Sequence, residues 1–198
     1  MDNNNRNNLT DKYLVDKVLG GDTRAFGSII KNTEGLVTQI VFKMIAAPAD
    51  RKDIAQDIYV KAFKKLPGFK FQSKLSTWIA TISYNTCLDH LRKKKLILSG
   101  DIYGENEQAN NIMDSNTGME TSTFIPAKEL SGILQTEIEK LPPVFKTLVT
   151  LFHIEELSYE EIMQITGMPE GTVKNYLFRA RKALKNGLLA NYKKEDLC

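Results

Sequence analysis

Lys174, Phe178, Lys182 and Lys185 recur every three or four residues near the end of this chain, with Gly171, Asn175 and Arg179 beside them. On an α-helix that spacing lines them along one side. Val173, Leu177, Ala180 and Leu184 fall on the other and read as its core stripe. The exposed row has the chemistry of a reader of double-stranded nucleic acid. Lysines neutralise phosphates, an asparagine amide pairs with an adenine edge, and an aromatic ring meets a thymine methyl. An aromatic side chain on the wet face of a basic helix implies a partner.

Covalent chemistry finds no comparable set of residues. His90 and His153 each stand without a nearby cluster of carboxylates or cysteines. Cys87 and Cys198 are far apart and lack a CxxC spacing, which argues against a thiolate metal site or a disulfide framework and fits a reducing compartment. Ser158 is followed by Glu161, the S-x-x-E spacing of a capping box, so its hydroxyl reads as a helix cap and not as a nucleophile. There is no glycine-rich phosphate loop. The expectation is a protein that is not an enzyme and uses neither cofactor nor metal.

The elements needed to hold the basic row are legible upstream of it. Ser158 opens a short helix with Ile162 and Ile165 inward, and Gly167-Met168-Pro169 makes a tight turn into the basic helix. A capped short helix, a turn and a longer basic helix together read as a helix-turn-helix. Before it, Ile133, Leu134, Ile138 and Leu141 mark one helix. Val144 to His153 marks another, with Leu148, Leu151 and Phe152 inward. In the first half, Leu9 to Leu19 and Ala25 to Met44 show helical apolar spacing. Asp50 reads as the N-cap of a helix whose stripe is Ile54, Ala55, Ile58, Tyr59, Ala62, Phe63 and Leu66, ended by Pro67-Gly68. A loop from Phe69 to Lys74 leads to a helix from about Ser76 to Lys95. There Leu75, Ile79, Ile82 and Thr86 share one side, and Thr81, Asn85, Asp89 and Arg92 an adjoining one, with Trp78 at the border.

Strand signals are poor throughout. The expected fold is all-α, with two small helical domains joined by a flexible linker. The linker is the stretch from Ser99 to Ala127, rich in Asn, Ser, Thr and Gly, with five acids and no Lys or Arg. Overall net charge is only +3, but from Met168 to Lys194 there are seven basic residues against one acid, and Arg92-Lys93-Lys94-Lys95 forms a second basic cluster. Polarised charge of this kind suggests surfaces with different partners. No apolar run approaches the ~20 residues that span a bilayer. Met1 to Asn8 is polar and lacks the apolar core of a secretory signal. A cytoplasmic protein without membrane insertion is expected.

The run from Glu161 to Lys174 (EIMQITGMPEGTVK), followed by Arg179-Ala180-Arg181 and preceded by Leu141-Pro142-Pro143, resembles the DNA-binding C-terminal region of extracytoplasmic-function sigma factors of bacterial RNA polymerase. Asp53-Ile54-Ala55-Gln56-Asp57 followed by Phe63 resembles the polymerase-binding helix of the same family. Phe69 through Ser73, Ser76-Thr77-Trp78-Ile79, Asn85 and Asp89-His90-Leu91-Arg92 resemble the segment that melts and reads the −10 element. The matches occur in the family's order and cover most of the chain. Asn175 and Tyr176 depart from the residues common at those positions, which bears on the upstream promoter sequence.

The resemblance implies a division of labour. Residues 9–98 would be sigma region 2, 99–127 an acidic linker and 128–194 sigma region 4. Asp53, Ile54, Gln56 and Asp57 would face core RNA polymerase. Lys70, Phe71, Gln72, Ser73, Lys74, Trp78, Asn85, Asp89 and Arg92 would serve the −10 element, with Arg92 to Lys95 on phosphates. Gly171, Thr172, Lys174, Asn175, Phe178, Arg179 and Lys182 would read the −35 element. Core RNA polymerase, promoter DNA and an anti-sigma factor are the implied partners. The competing readings are a stand-alone helix-turn-helix regulator and a nucleic-acid-modifying enzyme. The first has no use for the Asp53–Asp57 motif, and the second needs a catalytic cluster.

Overall fold

The computed structural model describes residues 3–99 and 127–191, with side chains from 9–94 and 131–190. Residues 100–126, which hold nearly all of the expected linker, lie outside the described residues. The described residues form eight α-helices and one 3-10 turn and contain no strand: α1 (Asn3–Leu19), α2 (Thr23–Met44), α3 (Pro48–Lys65), the turn Leu66–Gly68, α4 (Leu75–Ser99), α5 (Ala127–Lys140), α6 (Pro143–His153), α7 (Tyr159–Thr166) and α8 (Glu170–Asn191).

In the first bundle α2 is the central helix and packs against α1, α3 and α4. Ile29, Val37, Ile40, Val41 and Met44 form its buried stripe. Asp22 caps it by accepting a hydrogen bond from Arg24 N–H. The start of α4 is capped from a distance: Asp11 Oδ2 of α1 accepts from Leu75 N–H at 2.9 Å. This ties the first helix to the last and fixes where the Phe69–Lys74 loop ends. The core side of α4 is as expected, with Leu75, Ile79, Ile82 and Thr86 all buried.

Two details of the first bundle differ from the sequence expectation. Ala47, not Asp50, is the N-cap of α3, because Pro48, whose fixed φ suits the first helical position, already begins the helix two residues before Asp50. Asp50 lies in the first turn, with Oδ2 3.4 Å from Lys94 Nζ and 3.3 Å from His90 Nε2 of α4. Phe63 is 46% exposed and so is not part of the core stripe.

The second bundle folds as the turn chemistry dictates. Ser158 and Glu161 form the reciprocal capping box of α7. Gly167 closes α7 in the left-handed region at φ 70°, a conformation that costs glycine nothing. Phe145, Leu148, Leu151, Ile162, Ile165, Val173, Leu177 and Ala180 are buried together. Leu134 is 40% exposed, so α5 uses Ile138 for its core contact.

The bundles also pack on each other, which the sequence does not announce. α7 lies against α4 and α6 against α2, and the buried apolar residues of both halves form one contiguous core. Lys43 of α2, itself buried, pairs with Glu139 of α5, whose other oxygen takes Lys146 Nζ of α6 at 3.2 Å. Lys74 pairs with Glu161 Oε1 of α7 at 2.9 Å, and Thr81 Oγ1 donates to the Gln164 carbonyl at 3.2 Å.

Candidate nucleic-acid interface

α8 presents the basic row as a surface. Val173, Leu177 and Ala180 are fully buried and Leu184 nearly so, while Phe178, one residue beyond Leu177, is 62% exposed. Gly171, Lys174, Asn175, Lys182 and Lys185 are exposed, and Thr172 and Arg179 half-buried. Lys174 Nζ is held 2.6 Å from Glu170 Oε1 and 5.5 Å from the centre of the Tyr159 ring. The hydrogen bond that Lys174 donates to Glu170, with the carboxylate's charge, pushes the Lys174 ammonium above its ordinary range. A phosphate arriving there would exchange one anion for another. The Arg179 guanidinium lies 5.7 Å over the Phe145 ring, which also meets Tyr176 at 5.1 Å. Tyr176, the departure from the family pattern, therefore belongs to the packing side of α8.

The Phe69–Lys74 loop is built on an aromatic stack. Phe69 is buried, with ring centres 4.7 Å from Phe71 and 5.1 Å from Trp78. Phe71 is half-buried and has φ 57°, a left-handed conformation unusual for a bulky side chain and of a kind that clusters at binding sites. Lys70 and Gln72 are exposed and Ser73 half-buried. Asn85, Asp89 and Arg92 are exposed further along α4. Asn85 is ten residues beyond Leu75, the first residue of α4, and so about 15 Å further along the helix axis.

On α3, Asp53, Gln56 and Asp57 are exposed, whereas Ile54 is buried in the core, where it anchors the helix. The same exposed arc carries Val60, 50% exposed, and Phe63, which meets Phe26 edge-to-face at 5.0 Å. Acids beside exposed apolar side chains make a mixed face suited to a protein partner. The signal was available at the 100° helical step, which places residues 60 and 63 with 53, 56 and 57. Asp57 holds Lys61 at 2.7 Å.

Groups with other chemistry are committed to structure. Burial pushes the Cys87 thiol up to about 12, which leaves it inert as a nucleophile near neutrality. Burial likewise takes the Tyr84 hydroxyl to about 12. The His153 ring packs edge-on to Phe152. Among the described residues no group of three or more His, Cys, Asp or Glu is placed to hold a metal ion, and no helix is long and apolar enough to cross a membrane.

Two family models match the chain and define its class. Sigma-70 region 2 covers residues 29–97, which hold the mixed face and the −10 candidates, and Sigma-70, region 4 covers residues 131–184, which hold the helix-turn-helix. The chain is 31% identical to the ECF RNA polymerase sigma factor SigW of Bacillus subtilis (strain 168), over 89% of this chain and 96% of that protein. It is also 31% identical to the ECF RNA polymerase sigma-E factor of Escherichia coli (strain K12), over 90% of this chain and 94% of that protein. Solved structures share the fold. CnrH in complex with the cytosolic domain of CnrY superposes with a TM-score of 0.62 at 21% identity, over 91% of this chain and 98% of CnrH. The sigma factor RpoE in complex with the anti-sigma factor NepR from Bartonella quintana gives 0.61 at 20%, over 84% of this chain and 98% of that one. The chain belongs to the ECF sigma factors of RNA polymerase: it is an alternative sigma factor that directs transcription initiation.

Proposed function

We propose that the work of initiation is divided among three surfaces, with domain limits 9–98, 99–127 and 128–194. Asp53, Gln56 and Asp57, joined by Val60 and Phe63, dock on core RNA polymerase, and Ile54 positions them from the core. The Phe69–Lys74 loop, Trp78, Asn85, Asp89 and Arg92 engage the −10 element as it opens. An extruded base needs an apolar wall and an amide edge. The aromatic stack with Phe71 offers the first, and the amides of Gln72 and Asn85 offer the second. Gly171, Thr172, Lys174, Asn175, Phe178, Arg179 and Lys182 enter the major groove of the −35 element, and Lys185 reaches the backbone at its edge. The protein acts in the cytoplasm, carries out no chemistry of its own, and is held inactive by an anti-sigma factor, the partner that accompanies the solved relative from Bartonella quintana.

The observation that carries the −35 assignment is the contrast between Leu177, fully buried, and Phe178, 62% exposed in the row of lysines. That contrast sets the rotation of α8 and leaves the aromatic ring where a base edge would meet it. A promoter-variant binding series in the polymerase-bound state tests it. Phe178→Ala and Lys174→Ala should each cost roughly 1–3 kcal/mol and relax preference at particular positions. Lys185→Ala should weaken all sequences alike and lower the salt slope by about one unit. A shift in sequence preference from Lys185→Ala alone would mean that the helix is rotated otherwise.

A further inference from the structure

α1 carries no residue of the three proposed surfaces, yet it touches both ends of the Phe69–Lys74 loop. It packs against the turn Leu66–Gly68 that feeds the loop. Its Asp11 Oδ2 accepts from Leu75 N–H at 2.9 Å, where the loop becomes α4. The second contact is a helix cap supplied from a distance. The first backbone bond of α4 runs from Trp78 N–H to the Lys74 carbonyl at 3.1 Å, which puts Lys74 at the capping position. A lysine side chain has donors and no acceptor, so it cannot satisfy the free N–H groups of the first turn. Asp11 serves in its place.

Little else directs the backbone here. Among the described residues no backbone hydrogen bond joins Lys70, Phe71, Gln72 or Ser73 to another backbone group. Phe71 keeps its left-handed conformation at φ 57°, which persists only where the surroundings impose it. The stack through Phe69 and Trp78 restrains its ring. Beyond the loop lies a cavity of about 310 Å³ between α1, α2 and the start of α4, with Asp11, Lys74 and Ser76 in its wall. Room of that size leaves the start of α4 free to shift. Burial of the Leu75 side chain holds the residue to the core, but apolar burial has no direction. The bond to Asp11 is what aims the Leu75 N–H.

We propose that Asp11 is a positioning residue for −10 recognition: by capping α4 from α1 it sets where Phe71 and Gln72 stand relative to Asn85, without touching DNA itself. The proposal rests on the assignment of the loop and α4 to the −10 element. A binding wall left about 1 Å too loose still accepts a strand but selects poorly among bases. Loss of Asp11 therefore shows in selectivity before it shows in stability.

The test uses holoenzyme assembled from core polymerase and the full chain, on a promoter mapped from its own transcripts and on single-base variants of that −10 element. Opening is read by permanganate reactivity. Asp11→Ala should lower the ratio of opening between the native promoter and its −10 variants about five-fold, the factor that loss of a typical helix cap represents. Asp11→Asn removes the same charge but keeps an acceptor oxygen, and should hold the ratio within about two-fold. Preference at the −35 element and recovery of core polymerase should not change in either variant. Asp11→Ala combined with Phe71→Ala should cost less than the two separate losses together, because both act through one loop. Hydrogen exchange of the free protein should quicken at Leu75 while the interior of α4 stays protected. Equal loss in Asp11→Ala and Asp11→Asn overturns the proposal in favour of a charge effect, and an unchanged ratio in both overturns it outright. Protection lost throughout the first bundle, or additive losses with Phe71→Ala, makes Asp11 a general structural residue and also overturns it. Failure of the −10 assignment itself is distinguishable. If Phe71→Ala and Asn85→Ala alter −10 discrimination while Asp11→Ala does not, that assignment stands without the proposal, and if none of the three does, the assignment falls too.

Discussion

Asp57 is exposed on α3 and already holds one cation, Lys61, so the fold has little need of it. An i,i+4 pair on a helix surface is worth about 0.3–0.5 kcal/mol. Its replacement should therefore leave stability nearly untouched. Against a polymerase surface selected to receive an acid, Asp57→Arg should cost several kcal/mol of binding. Pull-down of core polymerase with the two proteins, alongside thermal melts, separates these effects. The expected outcome is loss of recovery with an unchanged melt, and equal recovery would remove Asp57 from the interface. Asn85 permits a similar separation on the DNA side. It is exposed on α4, and Asn85→Ala removes an amide while leaving the basic cluster from Arg92 onward intact. Permanganate reactivity of promoter DNA should fall, with discrimination lost at one −10 position. Normal melting would return Asn85 to an ordinary surface role.

The helices differ in how much of them could be read in advance. α7 and α8 were legible because their signals are local: a capping box, a left-handed glycine and a four-residue apolar stripe all lie within one stretch of chain. α3 was legible in position, but its facing was legible only from the helical step and not from its apolar residues. Its apolar positions span more than the buried arc, and a list of hydrophobic residues does not tell Ile58, fully buried, from Phe63, half exposed. The docking of the second bundle on the first was not legible at all. Its marks are Lys43, Lys74, Glu139 and Glu161, residue types that are usually solvated, and only tertiary packing buries a lysine. This docking carries its own pH signature. Burial raises the Glu139 carboxyl, but its hydrogen bonds from Lys43 and Lys146 outweigh this and hold it below the ordinary 4.5. Glu161 is held below 4.5 in the same way, by Lys74 and Ser158 against the opposing effect of burial. A carboxyl lowered where the bundles are docked stabilises docking above its value in the separated bundles, and the contribution is lost as pH falls through the docked value. The bundles should therefore stay docked at neutral pH and begin to separate below about 4.5. Scattering measured against pH, with far-ultraviolet dichroism to follow the helices, checks this. Docking that weakens instead on going from pH 5 to pH 8 would contradict the sign.

At the scale of the whole molecule, three surfaces with different chemistry sit on one helical framework: a mixed acidic and apolar face on α3, an aromatic loop with polar stations along α4, and a basic row on α8. None of them alone specifies a promoter. The central claim is that together, on core polymerase, they do. It is tested most directly by transcribing total genomic DNA in vitro with purified core polymerase, with and without the protein, and mapping the 5′ ends of the transcripts. New start sites should appear only with the protein, sharing one pair of upstream elements at fixed spacing, and Phe178→Ala should degrade the match at the upstream element alone. Identical start sites with and without the protein, or start sites that share no upstream elements, would contradict the account.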